Sequence, residues 1–494
     1  MYIECIKNVL SRGKTAIVLV PEISLTPQVI TRFYHIFNSS IAVLHSNLSD
    51  GERYDEYRRI MRGEVRVVIG TRSAIFAPLN NLGIIIIDEE HSDSYRQDNN
   101  PKYDAREVAK ERGRYHNCPV VLASATPSLG SLARSMKKVY HYLSIPKRAN
   151  DFPMPEVTVV DMAEENKNRH SILSRELEYR IIECLHKKEQ VMILLNRRGH
   201  STTISCSSCG YTYRCPHCDI ALTYHKTSKN LRCHYCGYTK YINDICPNCH
   251  EKSLNYYGLG TEKLEDYLKE VFPTASIVRM DRDSTTKKGA HEKITSDFES
   301  QKYDILVGTQ MISKGLDFAN VTLVGILNAD ASLNIPDYRS SERTFSLLQQ
   351  ACGRAGRASK RGSVILQTFY PDNYIIKCVS KNDYKSFAKY EMNVRKTLKY
   401  PPYYHMVTIR IMSRDYNMLK EEVLKIKNYL VNKVSKDTII LGPATSSMFL
   451  VNGVYHFEIL TKYKFDDRIK PTLEELDSIM SLKNKIWIDY EFDI

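Results

Sequence analysis

The tetrad Asp88-Glu89-Glu90-His91 follows the apolar run Ile84-Ile85-Ile86-Ile87 without a break. Four β-favouring residues bounded by Gly83 and an acidic cluster suit a strand buried on both faces of a parallel sheet, and such sheets bind their ligands beyond the carboxyl ends of the strands. Carboxylates delivered there suit magnesium-dependent nucleotide hydrolysis. In those roles Asp88 holds Mg²⁺ through its water shell, Glu89 orients the attacking water and His91 senses the state of the site. A second constellation, Gln349-Gln350-Ala351-Cys352-Gly353-Arg354-Ala355-Gly356-Arg357, sets two arginines three positions apart among glycines that permit close backbone approach. Arg354 and Arg357, with Gln350 beside them, can answer the charge on a γ-phosphate, a contribution of roughly 10³ to 10⁵ in rate. Gly308-Thr309 follow a strand-like Asp304–Val307 as Gly70-Thr71 follow Val65–Ile69, so each offers a strand-end amide and hydroxyl suited to phosphate.

Eight of the 13 cysteines form four C-x-x-C pairs: Cys206/Cys209, Cys215/Cys218, Cys233/Cys236 and Cys246/Cys249. Eight thiolates suffice for two closed tetrahedral sites, which points to two structural Zn²⁺ per chain and away from catalytic zinc. The inner pairs suit one ribbon and the outer pairs a second site around it, although sequence alone leaves three pairings of the knuckles open. Gly210 and Gly237 follow their pairs where a tight turn favours glycine. His217, His225, His234 and His250 are expected to be exposed and not to ligate.

Short apolar runs alternate with helical stretches from Thr15 to Ser128 and again from about 150 to 375, which gives two parallel α/β lobes to hold these residues. The expected division is 1–145 for the first lobe, 146–203 and 256–378 for the second, 204–255 for the cysteine-rich insert and 379–494 for a small α+β domain. The loop leaving the acidic tetrad carries Tyr95, Arg96, Lys102, Tyr103 and Arg106. A tyrosine there can stack a base for about 1 to 3 kcal/mol without sequence preference. Tyr95, Arg96, Tyr103 and Arg72 are therefore the expected DNA contacts, with Arg197 and Arg198 as weaker candidates.

Lys and Arg total 70 against 57 Asp and Glu, a net charge of +13 with a pI near 9.0, which favours a polyanionic partner. The opening MYIECIKNVLSRGKTAIVLV has no signal-peptide core, and no window approaches the ~18 apolar residues of a membrane span. A cytoplasmic protein without a membrane partner is expected.

PEISLTPQ, GTRSAIFAPL, DEEH, SATPS, LLNRRGHS, the four C-x-x-C pairs, YYGLGTEKLEDYL, RMDRDSTTKKG, VGTQMISKGLDF and QQACGRAGRA occur in the order seen in the bacterial primosomal replication-restart helicases, the primosomal protein N-prime (PriA) family. The chain resembles that family over essentially its whole length. The resemblance implies RecA-like helicase lobes, the nested pairing of the cysteines, and ATP with Mg²⁺ as cofactor. It also implies 3′ to 5′ unwinding of forked and single-stranded DNA at stalled forks. Primosome proteins, helicase-loading proteins and single-strand-binding protein are the implied partners. One element of the pattern is missing: no G-x-x-x-x-G-K-[ST] occurs, and Gly13-Lys14-Thr15 lacks the earlier glycine, Asn8 standing in its place. The expectation is a chain that lacks its amino-terminal part and turns over ATP slowly or not at all. The alternative function is a non-hydrolysing fork-binding scaffold that recruits replication proteins.

Overall fold

A computed structural model describes residues 1–21, 27–46, 48–145, 154–169, 171–196, 204–206, 208–218, 220–225, 230–242, 244–252, 254–255, 260–281, 283–286, 289–313, 316, 318–356, 361–481 and 485–493. The first lobe is a parallel sheet of β1 (Thr15–Leu19), β2 (Ile41–Leu44), β3 (Val67–Gly70), β4 (Leu82–Ile87) and β5 (Val120–Leu122), in the order β2-β3-β1-β4-β5. Its continuous apolar runs are explained by cores on both faces. Ile85 and Ile87 pack to one side with Ile17 and Leu19, and Ile84 and Ile86 to the other with Ala16 and Val18. Because β4 lies between β1 and β5, Asp88 emerges where the ends of these strands converge, and its N–H donates to Leu19 O at 2.9 Å.

The second lobe begins with β6 (Glu156–Asp161) and β7 (Gln190–Leu195). The cysteine-rich insert follows with β8 (Ser205–Cys206), β9 (Thr223–His225), β10 (Asn230–Arg232), β11 (Thr239–Tyr241) and β12 (Leu254–Asn255). β8 pairs antiparallel with β12, so the insert is closed at its base. The lobe resumes with β13 (Ile277–Met280), β14 (Ile305–Gly308), β15 (Val321–Leu327) and β16 (Ser363–Thr368), and its parallel order is β13-β14-β7-β15-β16-β6. The second lobe's core extends to the helix Tyr384–Thr397, whose Phe387 stacks on Phe345 with ring centroids 4.2 Å apart.

The last part is an antiparallel sheet of β17 (His405–Ser413), β18 (Ile439–Val451), β19 (Val454–Tyr463) and β20 (Trp487–Asp493), ordered β18-β19-β17-β20. The helices Tyr416–Lys433 and Ile469–Ser481 cover one face, against which β20 packs Ile488 and Tyr490. The alternate residues of β20, from Trp487 through Asp489 and Glu491 to Asp493, belong to the opposite face, which is turned toward the lobes. Lys102 of the first lobe meets Asp489 at 2.5 Å, and Arg96 meets Asp493 at 2.6 Å. Among the described residues no helix is long and apolar enough to cross a membrane.

Asp337 joins all three bodies. Its carboxylate holds Arg339 (3.1 Å) and Arg343 (2.5 Å); Arg343 reaches Asp93 of the first lobe (2.7 Å) and Arg339 reaches Asp493 of the last strand (3.3 Å). Burial works to raise the Asp337 pKa, but the two guanidiniums outweigh it and hold the group well below the usual carboxylate range. Removing one partner of such a pair strands a buried charge. Asp337→Ala is therefore expected to cost about 3 to 5 kcal/mol, read as a fall in the urea midpoint of unfolding.

Candidate active site and metal centres

Asp88 and Glu89 stand at the carboxyl edge of the first sheet. The helix Tyr2–Ser11 starts beside them, and the Tyr2 hydroxyl donates to Asp88 Oδ1 at 2.7 Å. Burial raises the Asp88 pKa, and the Tyr2 hydrogen bond opposes that only in part. A part-buried carboxylate whose Oδ1 accepts from a hydroxyl and, among the described residues, not from a cationic side chain fits a divalent cation as its counter-charge. Glu89 adopts a left-handed backbone, φ 47°, a conformation that non-glycine residues favour little and that clusters at functional turns. Its Oε2 lies 3.6 Å from His91 Nδ1.

Glu90 has a different role. Its carboxylate is 1% exposed and accepts from Ser128 N (2.6 Å), Ser128 Oγ (3.1 Å) and Ser131 Oγ (3.0 Å), which ties the tetrad to the start of the helix Leu129–Met136. His91 spans the two lobes: Nδ1 lies 2.7 Å from Ser124 Oγ, and Gln350 Nε2 of the second lobe lies 3.3 Å from Nε2. If Gln350 donates, the His91 proton resides on Nδ1, where Ser124 accepts it. Gln350, expected at the γ-phosphate, and His91, expected to sense the site, meet across the cleft, a contact the sequence did not indicate.

Other expectations are corrected. Arg354, expected at the γ-phosphate, donates from Nε to Ser313 O (2.8 Å) and from Nη1 to Leu316 O (2.5 Å), so it braces the loop that follows β14. Arg357 lies outside the described residues, as do Arg197 and Arg198. Gly308 is required by packing, because a Cβ there would meet Met280 O at 2.4 Å, and Gly70 repeats this in the first lobe against Leu44 O at 2.2 Å. Thr309 stands in the turn after β14 and accepts from Ile312 N at 3.2 Å through its carbonyl. Lys14 precedes a strand, after a turn at Gly13, and its carbonyl accepts from Arg66.

The loop after the tetrad departs most from its expected form. Tyr95 is 0% exposed and its one hydroxyl proton goes to Asp88 O (2.5 Å), with Leu19 O 3.1 Å away, so it cannot stack a base here. The tyrosine phenol gives Asp88 O a donor, while Leu19 O already accepts from Asp88 N. Arg96 is bound to Asp493 and to Phe492 O, and Arg72 donates to Arg96 O (2.6 Å) with its guanidinium 5.8 Å from the Tyr103 ring. Tyr103 in turn meets Phe76 edge-on. Sequence reasoning missed the opposing partner, β20, although the alternation Ile488-Asp489-Tyr490-Glu491 carried the strand signal.

In the insert, Cys206, Cys209, Cys246 and Cys249 converge, as do Cys215, Cys218, Cys233 and Cys236, with all four sulfurs of each set within 4.8 Å of one another. The pairing is nested. Sγ separations of 3.5 Å (Cys206 to Cys249), 3.7 Å (Cys209 to Cys246) and 3.6 Å (Cys215 to Cys236) match the edge of about 3.8 Å that a tetrahedron with Zn–S bonds of about 2.3 Å requires. Both clusters fit zinc. The knuckle turns use left-handed backbone at Gly210 (φ 74°) and Gly237 (φ 81°), and also at His250 (φ 61°). His217 and His250 are exposed, but His234 is buried and its Nδ1 faces Thr445 O, so it fastens the insert to the last domain. The side chain of His225 lies outside the described residues.

Comparison with known proteins agrees with this arrangement. Residues 215–240 match the PriA DNA helicase Cys-rich region (CRR) domain, 1–134 the DEAD/DEAH box helicase model, 245–359 the Helicase conserved C-terminal domain and 396–493 the Primosomal protein N C-terminal domain. Replication restart protein PriA of Bacillus subtilis is 48% identical over 96% of the chain and 59% of its own length, and that of Rickettsia felis is 37% identical over 93% of the chain and 71% of its own length. The chain belongs to the PriA family. This PriA-family chain spans about three fifths of the length of its first matched relatives, 59% and 60% for those of Bacillus subtilis and Synechocystis.

These sites generate three expectations for the PriA-family chain. Metal analysis should find two zinc ions per chain, and Cys215→Ser should leave one, since the clusters share no ligand. Tyr95→Phe should lower stability by about 1 to 3 kcal/mol in urea unfolding, because Asp88 O loses its hydroxyl donor while the ring still fills its site. Asp88→Asn removes a carboxylate whose pKa is raised in the folded state, so ionisation works against folding. The variant should match the parent at low pH and gain stability over it as pH rises above the unfolded carboxylate range, levelling off once the folded group is ionised. Thermal unfolding from pH 4 to pH 8 without magnesium measures this.

Proposed function

We propose that this chain is the motor, zinc and carboxy-terminal portion of an ATP-dependent 3′ to 5′ DNA helicase that restarts stalled replication forks and initiates primosome assembly in the cytoplasm. The observation that carries the reading is His91, which touches Ser124 in its own lobe and Gln350 across the cleft while standing two residues from Glu89. Hydrolysis in such a motor must be felt by both lobes, and one imidazole with two polar contacts gives a direct path for that. Asp88 would hold the Mg²⁺ of ATP, whose phosphates supply the leaving group. Glu89 orients and deprotonates the water, and Tyr2 keeps Asp88 aimed. Arg357 is the arginine proposed to meet the γ-phosphate, with Arg354 supporting the loop that follows β14.

Forked and single-stranded DNA are the proposed substrates, with helicase-loading proteins, other primosome proteins and single-strand-binding protein as partners. The names and domain matches of the relatives support this, as does the +13 charge.

The test is DNA-stimulated ATP turnover, measured on the 494-residue chain and on any in-frame extension that carries G-x-x-x-x-G-K-[ST]. Glu89→Gln should reduce turnover by about 10²-fold or more while fork binding stays intact. Turnover that ignores Glu89→Gln would overturn the assignment. Fork binding without turnover in every form would favour the scaffold.

A further inference from the structure

The acidic face of β20 is turned away from the apolar core of its own domain, which takes Ile488 and Tyr490 instead. Asp489, Glu491 and Asp493 alternate along one face, so neighbouring carboxylates are set about 6.8 Å apart along the strand. That is the scale on which successive phosphates follow along an extended single strand. Their partners come from outside the domain: Lys102 on Asp489 (2.5 Å), Arg96 on Asp493 (2.6 Å) and on Glu491 (3.4 Å), and Arg339 on Asp493 (3.3 Å). Arg410 of the same sheet completes the row on Glu491 at 2.7 Å. Lys102 and Arg96 belong to the loop that leaves the catalytic tetrad, and the groove they line together with Glu90, Arg106 and Gln350 encloses about 790 Å³.

We infer that β20 is a built-in mimic of a nucleic-acid backbone. Its carboxylates occupy, in the free chain, the cations with which this loop grips the phosphates of single-stranded DNA, and DNA must displace them. This rests on the proposed DNA-binding role. Displacement is feasible because these pairs are incompletely buried. The side chains of Lys102, Arg96, Asp489 and Glu491 are 27%, 24%, 29% and 21% exposed, against 12% for Asp493, and ion pairs that water reaches hold weakly. Freeing Arg96 also acts on the catalytic edge. Its carbonyl is held by Arg72, and the preceding residue, Tyr95, donates to Asp88 O.

A strand that merely anchors the domain and a strand that mimics phosphate differ in the sign of their effect on DNA affinity. The probe is a fluorescent oligo-dT, titrated with the 494-residue chain across a salt series and followed by anisotropy. Asp489→Asn with Asp493→Asn should tighten binding about 2- to 30-fold, the range to which two partly exposed pairs convert. The dependence of log affinity on log salt should steepen, because the carboxylates that DNA displaces in the parent take up cations and the Asn side chains do not. Lys102→Met should weaken binding little in the parent and should cancel much of the gain in the Asp489→Asn background. Each single substitution is assayed as well, so that a double variant that fails to fold does not decide the matter. Unchanged or weaker binding by well-folded Asn variants, or an additive Lys102→Met effect, overturns the inference while leaving DNA binding standing. Failure of every form to bind oligo-dT overturns the DNA reading and the inference together.

Discussion

Asp337 is the position on which the relative placement of the three bodies depends. One part-buried carboxylate between Arg339 and Arg343 links each guanidinium to a different domain: Arg343 to Asp93 beside the catalytic edge and Arg339 to Asp493 of the final strand. A second buried cluster lies close by, where Arg395 pairs with Glu342 and Glu391 and lies 5.2 Å from the Tyr338 ring, itself stacked on Tyr400. Tyr400 reaches on to Cys218 O in the insert. Buried ion pairs add little net stability against apolar substitutes, but they tolerate only one register, and register is what a cleft assembled from separate domains needs.

The lobes repeat one local solution. In each, a glycine ends a strand because the neighbouring strand's carbonyl leaves no room for a Cβ: Gly70 against Leu44 O, Gly308 against Met280 O. Each is followed by threonine and a tight turn, in which Thr71 O accepts from Ala74 N and Thr309 O from Ile312 N. The resemblance of GTR to GTQ therefore reflects strand spacing before it reflects any ligand.

What the sequence disclosed divides along physical lines. The parallel strands were legible because burial on both faces writes an unbroken apolar run, and the zinc clusters because thiol spacing follows the geometry of a knuckle. Tyr95 was misjudged because a tyrosine in a polar loop carries no mark of what its ring covers, and its hydroxyl partners, Leu19 O and Asp88 O, are backbone atoms contributed by other segments. His234 was misjudged likewise, its partner Thr445 O being 211 positions away. The strand β6 and the strand β20 were overlooked, although β20 alternates apolar and acidic residues. Alternation reveals that a strand has two unlike faces and is silent about the body that either one meets.

The chain contains a single tryptophan, Trp487, the first residue of β20, 45% exposed and on the same face as Asp489. Its indole stands opposite Met412 of β17. Intrinsic emission excited in the indole band thus originates from one place, the beginning of the strand whose far end bears on the catalytic loop. The protein carries its own optical reporter of how that strand is seated, with no label and no engineered residue.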